Sequence, residues 1–168
     1  MSFRRRSVAD TDKQDDPEAA FNALLRDLGR RDRTEADARS RLRERGFDRD
    51  AIDAAIARAI DHSYIDDDRT ASRLFASLRD KGWGPSQVRL RLQQQGVDSN
   101  RIDALLDETP DERWLELAIA RLSRKRLDTA DEDARAKAWR YLQYRGFSSQ
   151  TIRAAIAALT ALADRTDP

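Results

Sequence analysis

The chain has no cysteine, one histidine and one methionine among its 168 residues. Without cysteine there is no disulfide framework, no thiolate nucleophile and no thiolate metal site, a usage that fits a reducing cytoplasm. The lone His62 falls near the end of a predicted helix, where histidine serves more often as a polar C-terminal residue than as a base. No second histidine or paired lysine organises the many Ser and Asp residues into a catalytic set. A phosphate-binding loop of the G-x-x-x-x-G-K type is missing as well. Excess charge is lacking too: 32 Lys and Arg face 31 Asp and Glu, a net charge of +1, so the distribution of charge carries more information than its sum. Long apolar runs are likewise missing. The longest mainly apolar stretch, Ala154 to Ala163, is too short to cross a bilayer, and the N-terminus has no apolar leader segment. These absences predict a soluble cytoplasmic protein that is not an enzyme and holds no cofactor or metal.

What the chain does have is a repeat. Leu92-Gln93-Gln94-Gln95-Gly96-Val97-Asp98, followed by Ile102, Leu105 and Leu106, recurs 50 residues earlier as Leu42…Gly46-Phe47-Asp48…Ile52…Ala55-Ile56. It recurs 50 residues later as Leu142…Gly146-Phe147-Ser148…Ile152…Ala155-Ile156. In each copy an apolar-striped helix stops at a glycine suited to a left-handed cap, and the next residue tucks an apolar group under the turn. Asp48, Asp98 or Ser148 then offers a capping oxygen to a new amphipathic helix. Units of this size cannot close a core alone and must stack on neighbours. The predicted fold is all-α, an elongated array of three tandem three-helix repeats with about nine helices. The composition suits it, because 39% hydrophobic residues can fill small cores and 38% charged residues can solvate the outer faces.

In chain order, residues 1–16 mix Arg4-Arg5-Arg6 with acids and hold little that is apolar, which predicts a disordered arm. Repeat one spans 17–64. Pro17 starts its first helix, with a stripe of Phe21, Leu24, Leu25 and Leu28 ending at Gly29. Thr34-Glu35-Ala36-Asp37 resembles a capping box, and the third helix carries Ile52, Ala55, Ile56 and Ile60. Repeat two spans 65–109. Its junction Tyr64-Ile65-Asp66-Asp67-Asp68 suits an apolar staple with acids at a helix N-terminus, in preference to a metal site, because calcium-loop spacing is absent. Ala71, Leu74, Phe75 and Leu78 form the next stripe. Gly82-Trp83-Gly84-Pro85 is a turn with Pro at the first helical position, and Trp83 there is either a lid over the core between repeats or an anchor for a partner. Repeat three spans 110–164, with Trp114, Leu117, Ala118 and Leu122, then the irregular Arg124–Thr129, then Ala138, Trp139 and Leu142, and a last helix from Ser148 toward Leu162. Residues 165–168 form a frayed tail.

The second helix of each repeat is basic. Repeat one places Arg39, Arg41, Arg43 and Arg45 there, repeat two Arg89 and Arg91, and repeat three Arg135, Lys137, Arg140 and Arg145. Acids concentrate instead on third helices, at Asp50, Asp53, Asp103 and Asp107. Alternate residues of a helix spread around more than one face, so part of this set is solvated surface. The remainder suits a polyanionic or acidic partner. The candidate contact residues are Arg39, Arg43, Arg89, Arg140 and Arg145 on second helices, Lys81 at a helix end, and Arg124, Lys125 and Arg126 in the irregular segment.

The three-helix units, the Leu-x-x-x-Gly-Phe/Val-Asp/Ser turns, the Tyr64-Ile65-Asp66-Asp67 junction with Ala71, and the run Gly82-x-Gly84-Pro85…Val88…Leu92…Gly96-Val97 together resemble the RecX regulators of bacterial RecA recombinase. The resemblance extends from about Phe21 to Leu162. Thr70 departs from it, standing where the family usually has an aromatic, and so does Trp83, where a small or basic residue is usual. The resemblance implies a monomeric modulator, not an enzyme, that lies in the groove of the RecA filament on single-stranded DNA and restrains ATP hydrolysis, strand exchange and cleavage of the SOS repressor. A direct, weaker contact with DNA is compatible with it. The competing readings are a direct nucleic-acid binder, since paired helices at a tight turn resemble helix-turn-helix units, and a helical-repeat scaffold for another protein.

Overall fold

The computed structural model describes residues 14–125, 127, 129 and 131–166. Among these the chain is entirely helical: α1 Pro17–Leu28, α2 Glu35–Glu44, α3 Arg49–Asp61, α4 Asp67–Asp80, α5 Pro85–Gln94, α6 Ser99–Asp107, α7 Asp111–Lys125, α8 Glu132–Tyr144 and α9 Ser149–Thr166. The helices come in threes at the period of the sequence repeat, which makes the fold an all-α tandem repeat. The predicted arm at 1–16 lies outside the described residues apart from Gln14–Asp16, where Asp16 caps α1 through Glu18 N–H. The helix α9 continues through Thr166, past the start of the predicted tail.

The turns explain the period. Gly46, Gly96 and Gly146 have φ of +87°, +75° and +86°, the left-handed conformation that costs residues with a Cβ roughly 1–2 kcal/mol. At the first and last of these, the glycine N–H donates to Arg43 O or Gln143 O, while the following Phe47 or Phe147 N–H donates to Leu42 O or Leu142 O, the paired closure of a Schellman turn. Ser63 closes α3 in the same way without a glycine, at φ +56°. The caps that follow differ from expectation at one site. Asp98 accepts from Asn100 and Arg101 N–H, and Ser148 Oγ from Thr151 N–H, whereas Asp48 makes no side-chain cap bond. The Asp48 carboxylate instead faces Asp15, and the hydrogen bond and charge between them push the Asp15 carboxyl above its ordinary range.

The described residues form two compact units, one within Met1–Ala71 with Gln95–Val97, the other within Ser72–Gln94 with Asp98–Pro168. In the first, α1 packs on α3 and α2, and Phe21, Leu24, Leu42, Ile52 and Ile56 centre the core, with Leu25, Leu28 and Phe47 half-buried at its margin. Ile60, expected in the stripe of α3, is 43% exposed, because the helix ends there and the apolar cover passes to buried Ile65. In the second unit, α9 packs on α7 and α8, and α5 on α6. Val88, Leu92, Ile102, Leu122, Leu142 and Ile152 are buried there, and Phe75 meets Trp114 edge-to-face at 6.3 Å.

One device recurs in both units. The start of a second helix grips the glycine turn found 62 residues on. Thr34 caps α2 by accepting from Asp37 N–H at 3.1 Å and donates its hydroxyl hydrogen to Gln95 O at 2.5 Å, which is why Gln95–Val97 belong with the first unit. In the second unit Gly84 N–H donates to Arg145 O, while Ser86 N–H and Oγ donate to Gly146 O. Helix-end carbonyls without an intrahelical partner thereby meet helix-start donors.

Candidate interaction surface

The second helices α2, α5 and α8 carry most of the candidate cations, and their surroundings differ from repeat to repeat. Arg39 on α2 bonds Glu35 Oε1 at 2.7 Å and also the Asp53 carboxylate across on α3. Hydrogen bonds that it donates to Glu35 and then Asp53 hold its guanidinium pKa above the ordinary value, and Arg39 in turn depresses the Asp53 carboxyl. Arg89 on α5 repeats this geometry at 2.5 Å from Asp103 on α6. The acids of the third helices thus neutralise these two arginines, a pairing hidden by the separation of 14 residues between partners. Fifty residues further on the positions hold Trp139 and Arg153, and no such pair can form. Trp139, expected in the buried stripe of α8, is instead half-exposed and lines an open groove between α8 and α9 with Ala136, buried Ile156 and Ala161.

The other candidates divide into exposed and stacked. Arg43 is exposed and shares a shallow depression with Arg39, Arg49 and Asp53, and Arg140 is exposed on α8. Arg124 and Lys125 lie in the last turn of α7, where the helix dipole favours cations, so the helix extends into the segment expected to be irregular. Arg126 lies outside the described residues. Lys81 follows α4, and its carbonyl accepts from Arg145 Nη1 at 3.0 Å. Arg145 caps α8 and sets its guanidinium 4.3 Å from the Trp83 ring centre. The structure therefore brings together Arg39 with Arg43, and Lys81 with Arg145.

The acidic junction has a structural task. Asp66 Oδ1 accepts from Arg69 N–H at the start of α4, and Asp67 Oδ1 from Glu35 N–H at the start of α2. Burial first, then the nearby Glu35, Asp66 and Asp68 charges, pushes the Asp67 carboxyl up against the opposing bond from Glu35 N–H. Asp37 shifts the other way. Burial raises it, but the bonds and charges of Arg33 and Arg41 outweigh burial and leave it below the ordinary range. Asp37 spends its carboxylate on these arginines, so only the threonine half of the expected capping box is made.

In the sequence, Arg91 and Arg121 stand out only as members of basic stretches. Their convergence with Arg145 on the Trp83 turn comes from separate helices, and its one local signal is Gln87 standing where repeat one has Asp37.

Comparison with known proteins bears on the same elements. A family model for the first three-helix domain of RecX matches residues 20–58, and one for the third three-helix domain matches residues 111–156. The chain is 35% identical over 136 residues to "Regulatory protein RecX" of Vibrio campbellii, covering 80% of this chain and 87% of that one. It is 34% identical over 145 residues to the protein of the same name from Halorhodospira halophila, covering 84% and 88%. In fold it resembles the crystal structure of RecX from Lactobacillus salivarius, with a TM-score of 0.73 at 24% identity, covering 90% of this chain and 99% of that one.

Proposed function

The chain belongs to the RecX family of regulatory proteins, and from that premise we propose that it binds the RecA filament on single-stranded DNA, within the filament groove, and restrains its ATPase, strand exchange and SOS-repressor cleavage. The observation that carries this reading is the match to proteins named as RecX regulators along four-fifths of the chain. The repeats supply its physical basis. Three units on one chain can each make contacts that are weak singly, and joined contacts gain affinity from effective concentration. Restraint follows from unequal affinity for the active and inactive filament forms, with no chemistry by the regulator itself. Arg39, Arg43, Lys81, Arg89, Arg124, Lys125, Arg126, Arg140 and Arg145 are the proposed contacts, with the protein acting as a monomer in the cytoplasm. Among the described residues no helix is long and apolar enough to cross a membrane.

The test compares binding to free DNA, to RecA alone and to the ATP-bound filament, with ATP turnover followed in parallel. Preference for the filament and a fall in turnover are expected. Tight binding to free DNA with filament activity unchanged would support the nucleic-acid reading instead.

A further inference from the structure

In repeat one Arg33, Arg41 and Arg45 along the α1–α2 edge each have an acid. Arg33 and Arg41 hold Asp37, the former at 2.6 Å, and Arg45 holds the buried Asp27 at 2.6 Å. Fifty residues on, the triad Arg33–Asp37–Arg41 becomes Trp83–Gln87–Arg91, and in repeat three the counterpart of Arg45 is Arg145. In each later repeat one arginine of the three remains, Arg91 in repeat two and Arg145 in repeat three, and the acid opposite it is gone. Arg91 lies 3.9 Å and Arg145 4.3 Å from the Trp83 ring centre. The side chain of Arg121 lies against Gly82 of the same turn, where a Cβ would overlap it. Among the described residues none of these three arginines is ion-paired, and the Nε of each is buried without a hydrogen-bond partner, as is that of the acid-paired Arg33.

Guanidinium groups held with covered stems and uncompensated charge stay cationic, and their Nη edges are built for bidentate oxyanion recognition. Tyr144, 71% exposed, stands 6.4 Å from Trp83 and adds an open aromatic face to the cluster. A carboxylate-rich peptide would use the cations and leave that ring idle. A strand of nucleotides uses both, phosphates on guanidinium and a base on the ring.

We propose that the turn Lys81–Gly84, with Arg91, Arg121, Arg145 and Tyr144, is a direct binding site for single-stranded nucleic acid. It does not depend on the filament reading, because the probe is free strand.

The full chain is titrated with an oligothymidylate of about 16 nucleotides, following tryptophan fluorescence and the dependence of affinity on salt. Saturable binding is expected, with a fluorescence change that Trp83→Phe abolishes. Arg91→Gln should weaken binding at least tenfold, Arg91→Lys less, and the logarithmic salt slope should shrink by about 0.7 for each phosphate no longer neutralised. Tyr144→Ala, at a position 71% exposed, should leave the urea midpoint nearly unchanged and weaken binding several-fold with the salt slope unchanged. Arg41→Gln, the acid-compensated counterpart, should leave affinity within about twofold. A polyglutamate peptide producing the same Trp83 signal while the oligonucleotide produces none would overturn the proposal in favour of an acidic protein. Equal weakening in Arg41→Gln and Arg91→Gln, or no binding of either probe, would also overturn it.

Discussion

Three glycines in equivalent positions need not be equally demanding. Gly46 requires its left-handed backbone only, since a Cβ there would meet nothing nearer than Gln14 Nε2 at 3.6 Å. At Gly96 the added carbon would stand 2.6 Å from Ala36 Cβ, and at Gly146 2.6 Å from the Gln87 backbone nitrogen. Gly46→Ala should therefore cost about 1–2 kcal/mol from the backbone alone. Gly146→Ala should cost a further ~1–3 kcal/mol, because a helix start must give way. Urea melts of the two variants check this, and equal midpoints would mean that the grip on the glycine turn is unimportant to stability. Leu92 is fully buried at the matching place in repeat two, so Leu92→Ala should lower stability by roughly 2–5 kcal/mol. An unchanged midpoint would contradict its place in the core.

At the scale of the element, two aspartates at helix starts respond to pH with opposite signs. Asp37 has a folded pKa below its ordinary value of 3.8, so its contribution to stability is present above that value and is lost as pH falls through the lower folded one. Asp67 has a folded pKa above 3.8, so folding disfavours its ionised form, and the penalty disappears as pH falls below the folded value. Thermal melts across this range should show Asp37→Asn less stable than the parent at neutral pH, with the gap closing on acidification. Asp67→Asn, which keeps an oxygen for Glu35 N–H, should be the more stable at neutral pH and lose its advantage in acid. The same sign for both would show that the Arg33–Asp37–Arg41 cluster does not set the balance. The solvent-facing pairs Arg39–Asp53 and Arg89–Asp103 are screened by water and should hardly register in these melts.

For the whole molecule, the proposed contacts lie on successive repeats. Arg→Gln changes at 39, 89 and 140 should leave the melting temperature nearly unchanged, since surface positions outside the core move stability little. A single Arg89→Gln should weaken filament binding modestly and the triple variant far more, because joined weak contacts multiply. Salt offers an independent measure, as exposed charge contacts are screened over about 8 Å at physiological ionic strength. Filament affinity indifferent to both the triple variant and added salt would move the interface away from the second helices, toward the Trp139 groove or the Trp83 turn.

The sequence by itself determined the helical class, the left-handed glycines and most of the apolar stripes, because each rests on residues within one turn or two of each other, and the 50-residue period, because it is a recurrence in the sequence itself. Phe21, Leu24 and Leu28, like Ile52, Ala55 and Ile56, recur at helical spacing, and that periodicity survives in any packing that buries one face. It also determined the kind of residue on the second helices, but not its state of charge compensation. Only the tertiary structure decided that Arg39 and Arg89 are answered by Asp53 and Asp103 while Arg91 and Arg145 rest on Trp83. The reason is distance along the chain: an ion pair or a ring stack acts over a few ångströms between side chains that helix packing brings together from 8 to 62 positions apart. The same limit hid the role of Thr34, which reads locally as a helix cap. Its hydroxyl also holds Gln95, and no property of either residue announces the other.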